Sequence, residues 1–260
     1  MQSCVVVIPA RYASSRFPGK PLVAIAGRPM IQHVYEQSCR AHLVDSVLVA
    51  TDDERIAEAV RAFGGRVVMT SPQHPTGTDR IAEVAAGLDC DIVVNVQGDE
   101  PCIAPEAIDA LVQPLRDDPT VQMSTLAHPL REIEQLLTPN VNKVVVDRTG
   151  YALYFSRAPI PYDRYAWPQA PHLLAQSGQT PTVPPGCLKH LGLYAYRRAF
   201  LLTLSQLPQT PLEQLEQLEQ LRVLEHGYRI RVVETAYESI GVDVPEDVVR
   251  VERMLAGRGT

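Results

Sequence analysis

Three cations, Arg11, Arg16 and Lys20, fall within ten residues of an otherwise acidic chain, in the segment PARYASSRFPGKPL (9–22). An arginine grips phosphate oxygens through two parallel N–H groups, whereas a lysine acts as a point charge. With Ser14, Ser15 and Gly19 between them, these side chains and the loop's backbone N–H groups suit a polyphosphate. The bland alternative is a solvated basic loop, and the local concentration of positive charge weighs against it. The spacing is neither GxGxxG nor GxxxxGK[ST], so a dinucleotide oxidoreductase and a P-loop NTPase both lose ground. A second segment, VNVQGDEP (94–101), runs an apolar stretch straight into Gln97, Gly98, Asp99 and Glu100. A hard divalent cation carried on a triphosphate needs only one or two protein carboxylates. Asp99 is the ligand candidate, against the alternative of a turn aspartate.

Three weaker signals follow. Thr76, Gly77 and Thr78 precede a helical pattern, and their N–H and hydroxyl groups suit a base edge or a phosphate. A helix cap at Thr78 explains them equally well, and His74 reads as a loop histidine. Asp243 in GVDVPEDVVRVE lies just before a proline-led helix, where capping with Glu246 and Asp247 is the simpler reading. Arg157, Lys189 and His190 could receive a substrate carboxylate. The nearby Tyr154, Phe155, Tyr194 and Tyr196 read as packing.

Positioning these groups requires a sheet. VVVI (5–8), VDSVLVAT (44–51), RVVMT (66–70) and DIVVNV (91–96) are short apolar runs. They alternate with helical patterns at 29–41, 53–65 and 79–87. Strands this apolar belong to a parallel sheet covered on both faces, and repeated βα units give a doubly wound α/β fold. Ligands then bind at the carboxyl ends of the strands, which is where the cationic loop and Asp99 fall. The second half adds strands at 121–128, 191–198 and 228–235, and a hairpin over 142–157 around Asp147–Gly150. A closing helix follows at 245–256, and 158–188 reads as a long loop. In PLEQLEQLEQLRVL (211–224) the leucines recur every third residue and step back about 60° per repeat on a helix. An ordinary surface helix is the expectation. The sharper alternative is a helix buried on several sides, with glutamates facing a site.

With 24 basic and 30 acidic residues among 260, the chain carries a net charge of −6, a poor match to duplex nucleic acid. Five cysteines without a CxxC spacing argue against a disulfide or metal framework and fit a reducing compartment. The apolar run at the start is broken at once by Pro9 and Arg11 and is not expected to be a signal peptide. No stretch approaches the roughly 18–20 apolar residues of a membrane span.

Taken together and in order, these segments resemble the 3-deoxy-manno-octulosonate (KDO) cytidylyltransferases, also called CMP-KDO synthetases. The similarity covers nearly the whole chain. It is carried by IPARYASSRFPGKPL, VATDDERIAEAV, TGTDRIAEV, VVNVQGDEP, KVVVDRTGYALYFSRAPIP, KHLGLYAYRR, PLEQLEQLEQLRVLEHG and GVDVPED. The resemblance implies a nucleotide-diphospho-sugar transferase-like fold and the reaction CTP + KDO giving CMP-KDO and diphosphate, for lipopolysaccharide biosynthesis. It implies one domain, with a nucleotide-binding half at 1–120, a sugar-binding and dimerisation extension at 121–235, and a closing metal loop and helix at 236–260. Nucleotide contacts carry over to Ala10, Arg11, Ser14, Lys20, Thr76, Gly77, Thr78, Arg80 and Gln97. Sugar contacts carry over to Arg16, Arg157, His190, Tyr194, Glu219 and Gln220. Mg²⁺ ligation carries over to Asp99 and Asp243, so the family role displaces the capping reading of Asp243. Arg11 and Lys20, with the two aspartates, form the implied catalytic set. A cytoplasmic homodimer is also implied.

The sequence departs from the family mildly, with Thr76 and Asp79 in place of serine and glutamate, Lys189 in place of arginine, and Asn142, Gln214 and Gln217. The rival readings are a cytidylyltransferase for amino-KDO or sialic acid, a catalytically silent nucleotide-binding regulator, and, most distantly, an NAD oxidoreductase. Glu219 and Gln220 favour KDO over sialic acid.

Overall fold

The computed structural model describes residues 2–13, 17–165, 167, 182–238, 241–242 and 244–257. Ser14, Arg16 and Asp243 lie outside the described residues, as do 166 and 168–181 of the expected long loop. Strand β1 (Cys4–Ala10) is central. It pairs in parallel with β4 (Ser46–Thr51) on one side and β6 (Ile92–Asn95) on the other. β5 (Val67–Met69) continues in parallel beyond β4. Beyond β6, β10 (Leu188–Arg197) runs antiparallel to both β6 and β7 (Met123–Pro129). β11 (Arg231–Glu234) lies parallel to β7 at the edge. The hairpin β8 (Lys143–Val146) and β9 (Ala152–Ser156) attaches to the start of β10. Among the described residues this is a nine-stranded sheet of main order β11-β7-β10-β6-β1-β4-β5. A small ribbon, β2 (Ala24–Ile25) with β3 (Arg28–Pro29), stands apart.

The apolar runs have the expected consequence. Alternate residues of β1 enter two separate cores, because successive side chains of a strand point to opposite faces. Val6 and Ile8 pack with α1 (Met30–Ser38), α2 (Glu54–Ala62) and α4 (Pro105–Asp117) through Ile31, Val34, Ile56, Val60, Ile108 and Leu111. Val5 and Val7 face the other layer, which holds α3 (Gly77–Ala86) and α6 (Arg198–Leu204). A short α5 (Ile133–Leu137) lies between β7 and β8. The closing helix α9 (Pro245–Gly257) begins with proline, whose missing N–H costs nothing in a first turn.

Two local expectations are corrected. Helix α3 starts at Gly77, two residues before the expected 79, and Thr76 caps it instead of Thr78, accepting from Asp79 N–H. The cap's identity matters, since it leaves the Thr78 hydroxyl available elsewhere. The 211–224 segment is two helices, α7 (Pro211–Glu216) and α8 (Gln220–Glu225), because Gln217 takes a left-handed conformation with φ 53°. A Thr210–Glu213 capping box opens α7. Its Glu213 also forms a buried two-pronged pair with Arg222 of α8, at 2.5 and 2.8 Å. The break lets glutamates and glutamines turn inward, which one continuous helix with a period-three pattern would spiral around its axis.

Candidate active site

The cationic loop leaves β1 and the QGDE loop leaves β6, so adjacent parallel strands deliver both to one sheet edge. Between them lies a cleft of 390 Å³ lined by Pro9, Ala10, Arg11, Lys20, Gly77, Gln97, Gly98 and Asp99, among others. Two glycines allow this closeness. A Cβ at Gly98 would stand 3.0 Å from the Pro9 carbonyl oxygen, and one at Gly77 would stand 3.5 Å from the Pro9 ring. Gly19, at φ +70°, turns the loop into a 3-10 turn over Lys20–Leu22. Backbone N–H groups of Gly19 and Leu22 close it through Tyr12 O and Gly19 O, both at 2.9 Å.

Lys20 Nζ sits 2.6 Å from Asp99 Oδ2 at the lip of the cleft. Arg11 donates to the His74 carbonyl at 2.7 Å, tying the cationic loop to the segment that leads into α3. Thr76 donates its hydroxyl to Asp79 at 2.7 Å, and Thr78 donates to Glu219 at 2.7 Å. Gln97 donates to the Gly192 carbonyl of β10 at 3.2 Å. Arg80 is different, being fully buried. Its guanidinium meets the Thr70 hydroxyl and, at 3.2 Å, the Asp52 carboxylate, so it braces the β4 and β5 ends from beneath.

The other end of the site is built on the first residues of β10 and on α7–α8. His190 is buried between Phe155, at 4.8 Å between ring centres, and Tyr194, at 5.6 Å. Its ring bonds Thr125 Oγ1 at 2.9 Å and Gln220 Nε2 at 3.4 Å. Burial pushes the imidazole down to about 3, so it is neutral. Burial also raises Tyr194, with the Glu219 charge adding to it. Glu219 itself is raised by burial, an effect that the Thr78 hydroxyl partly offsets. Arg157 uses its guanidinium on backbone carbonyls: Glu216 at 2.7 Å, Pro139 at 2.9 Å and Gln217 at 3.3 Å.

Of the residues expected from the sequence, Ala10, Arg11, Lys20, Gly77, Gln97 and Asp99 line one cleft. His190, Tyr194, Glu219 and Gln220 form a second group, which Thr78 joins to the first. Arg80 and Arg157 brace the walls. Three further residues have roles that the sequence does not assign individually, Glu216 being one of the glutamates that the sharper reading of 211–224 turns toward a site. Thr125 backs His190. Glu216 accepts from Ser156 Oγ at 2.6 Å and Arg157 N at 2.9 Å. Lys143 is fully buried and donates to the carbonyls of Thr138, Val141 and Arg157. Which distant atom each of them meets leaves no periodic or motif trace.

Asp99 suits a hard cation. It is a carboxylate one-third exposed at the cleft lip, and Mg²⁺ carried on a nucleotide keeps most of its ligands as water and phosphate oxygens. The segment just before Asp243 is fastened beside it, since Val242 N–H donates to the Asp99 carbonyl at 2.9 Å. Among the described residues no cluster of three or more His, Cys, Asp or Glu forms an all-protein metal cage.

Comparison with known proteins shows the family and its fold. Residues 5–231 match the cytidylyltransferase family. A 3-deoxy-manno-octulosonate cytidylyltransferase of Geobacter sulfurreducens is 57% identical over 245 residues, covering 94% of this chain and 96% of the relative. The chain belongs to the 3-deoxy-manno-octulosonate cytidylyltransferase family. A second relative of the same name, from Pelobacter propionicus, is 58% identical and covers 94% of each chain. The family fold is matched by a CMP:2-keto-3-deoxy-manno-octonic acid synthetase solved with CTP, at TM-score 0.87 and 45% identity, covering 98% of this chain and 99% of that one. A cytidylyltransferase from Leptospira borgpetersenii, at 14% identity and TM-score 0.63 over 99% of this chain and 88% of that one, shares the fold. Among the described residues no helix of this family member is long and apolar enough to cross a membrane.

Proposed function

We propose that this chain transfers the cytidylyl group of CTP to KDO, giving CMP-KDO and diphosphate for lipopolysaccharide biosynthesis. The observation that carries the reading is the Lys20–Asp99 pair at the mouth of a cleft framed by Gly77 and Gly98. An ammonium and a carboxylate at neighbouring strand ends suit the phosphate and metal roles assigned to them in this reading, and relatives of over half identity bear the matching name.

The anomeric hydroxyl oxygen of KDO attacks the α-phosphorus of CTP, the bond to the β-phosphate oxygen breaks, and the hydroxyl proton passes to solvent. Asp99 and Asp243 would hold Mg²⁺, which would supply charge neutralisation at the phosphates. Arg11 and Lys20, with Ala10 and Ser14 on the same loop, bind the triphosphate and stabilise the departing diphosphate. Thr76, Gly77, Thr78 and Gln97 hold the nucleotide, with Arg80 supporting their loop from below. Arg16, Arg157, His190, Tyr194, Glu219 and Gln220 receive the sugar. A cytoplasmic homodimer completes the reading.

Diphosphate release tests it, measured with Mg²⁺ and KDO across CTP, UTP, ATP and GTP, with sialic acid and amino-KDO as alternative acceptors. Release that needs CTP and KDO together is the expected result. Release with an alternative acceptor alone reassigns the sugar, and none with any pair overturns the activity.

A further inference from the structure

Strand β10 carries a register shift between Leu191 and Tyr194, where it passes the fully buried Thr125 of β7. The Thr125 hydroxyl lies 3.1 Å from the Leu191 carbonyl, 2.8 Å from the Leu193 carbonyl and 2.9 Å from His190 Nε2. A hydroxyl has one proton. Donating it to the imidazole would leave two carbonyl oxygens against the hydroxyl oxygen with no hydrogen between them. The proton therefore goes to a carbonyl, best to Leu193, and His190 Nε2 must be the donor to Thr125 Oγ1. A neutral ring protonated at Nε2 has its lone pair at Nδ1, and the Gln220 amide nitrogen is 3.4 Å from that atom. Each donor in this chain points the same way, from Gln220 through His190 and Thr125 to the backbone of the shifted strand.

We propose that Thr125 is a positioning residue of the sugar subsite, fixing His190 as the Nε2–H tautomer and thereby turning the Gln220 amide so that its nitrogen faces the ring and its carbonyl oxygen serves sugar hydroxyls. The proposal rests on the sugar-binding reading of His190 and Gln220 given above. Its consequence is a division of labour. Gln220 offers the acid sugar an acceptor for its hydroxyl groups, and the neutral ring behind it offers no cation for the carboxylate. Burial of His190, whose pKa falls to about 3, agrees with a ring that stays neutral.

The test uses ring 15N resonances of His190 at pH 7, assigned by their loss in His190→Gln, together with steady-state kinetics of Thr125→Val and Thr125→Ser. The wild type should have Nε2 protonated and Nδ1 unprotonated. Thr125→Ser keeps the hydroxyl and should keep both the tautomer and, within about threefold, the sugar KM. Thr125→Val should mix the tautomers and raise the sugar KM about tenfold or more, with the CTP KM within about twofold. A purely structural role would move both KM values and the melting temperature together and would leave the tautomer alone. An Nδ1–H ring in the wild type overturns the proposal, as does an unchanged sugar KM in a Thr125→Val enzyme whose tautomer is mixed. If Thr125→Val does not fold, the wild-type and Thr125→Ser spectra decide. The ring measurement needs no substrate, so it stands apart from the activity assay that tests the function itself.

Discussion

Thr78 and Glu219, 141 residues apart in sequence, share a 2.7 Å hydrogen bond that joins the first turn of α3 to the break between α7 and α8. One hydroxyl thus spans the proposed nucleotide segment and the proposed sugar segment. Thr78 has this hydroxyl free for Glu219 because Thr76 does the capping. Removing it in Thr78→Val leaves a mostly buried carboxylate short of a donor, at a cost of about 1–3 kcal/mol. Burial raises the Glu219 pKa, so its contribution to stability is present below its unfolded value of 4.5 and is lost as pH rises through the folded value. The valine variant should steepen that loss. Urea unfolding of both proteins from pH 4 to 8 checks it, and equal stability differences across that range would refute the coupling.

The Lys20–Asp99 pair is partly exposed, and its worth to folding is correspondingly small, within about 1 kcal/mol. Its expected worth to turnover is larger. Lys20→Met should lower kcat by about 10²–10³-fold, and Asp99→Asn should nearly abolish turnover while its melting temperature stays close to that of wild type. Circular dichroism melts beside diphosphate release separate the two effects. A folded Asp99→Asn enzyme that turns over normally at saturating Mg²⁺ would remove the metal role.

Gly98 leaves a side chain tightly crowded. A Cβ there meets a backbone oxygen, Pro9 O at 3.0 Å, and backbone cannot step aside as a flexible side chain can. Gly98→Ala should cost about 1–3 kcal/mol and displace the loops on either side of the cleft. The CTP KM should rise. Gly64→Ala, where nothing lies within 4 Å but φ is +80°, is the comparison, because it brings backbone strain without a collision near the site.

Lys143 is an ammonium sealed among carbonyls. Burial pushes its pKa down from 10.5 to about 8, with the Glu216 charge acting the other way. A base whose folded value is depressed contributes stability above its unfolded value and loses it as pH falls through the folded one. Wild-type stability relative to Lys143→Met should therefore rise as pH is raised from 8 towards 10.5. At pH 7 the methionine variant should still be less stable, by about 1–3 kcal/mol, because three carbonyls lose their donor. Denaturant titrations at pH 7, 9 and 10.5 read both effects, and a flat difference would mean the ammonium is better solvated than its burial implies.

The layered sheet was legible because VVVI and DIVVNV are too apolar for anything but strands covered on both faces, and neighbouring strand ends bring Arg11, Lys20 and Asp99 to one edge. The motif order carried the family. Helix α4 was within reach too, since Ala107, Ile108, Leu111, Val112 and Leu115 follow the helical period behind Pro105 and are all buried. What the sequence could not yield depended on a single backbone angle or on partners far away along the chain. The left-handed Gln217 splits the glutamate-rich segment, so a threefold leucine repeat that would spiral round one helix instead sends Glu213, Glu216 and Gln220 inward. Whether a polar residue such as Thr78, Thr125 or Arg80 touches a ligand, aligns another side chain or braces the sheet depends on which buried atoms need a proton. Those needs arise only when strands β7 and β10, or helices α3 and α8, are packed against each other.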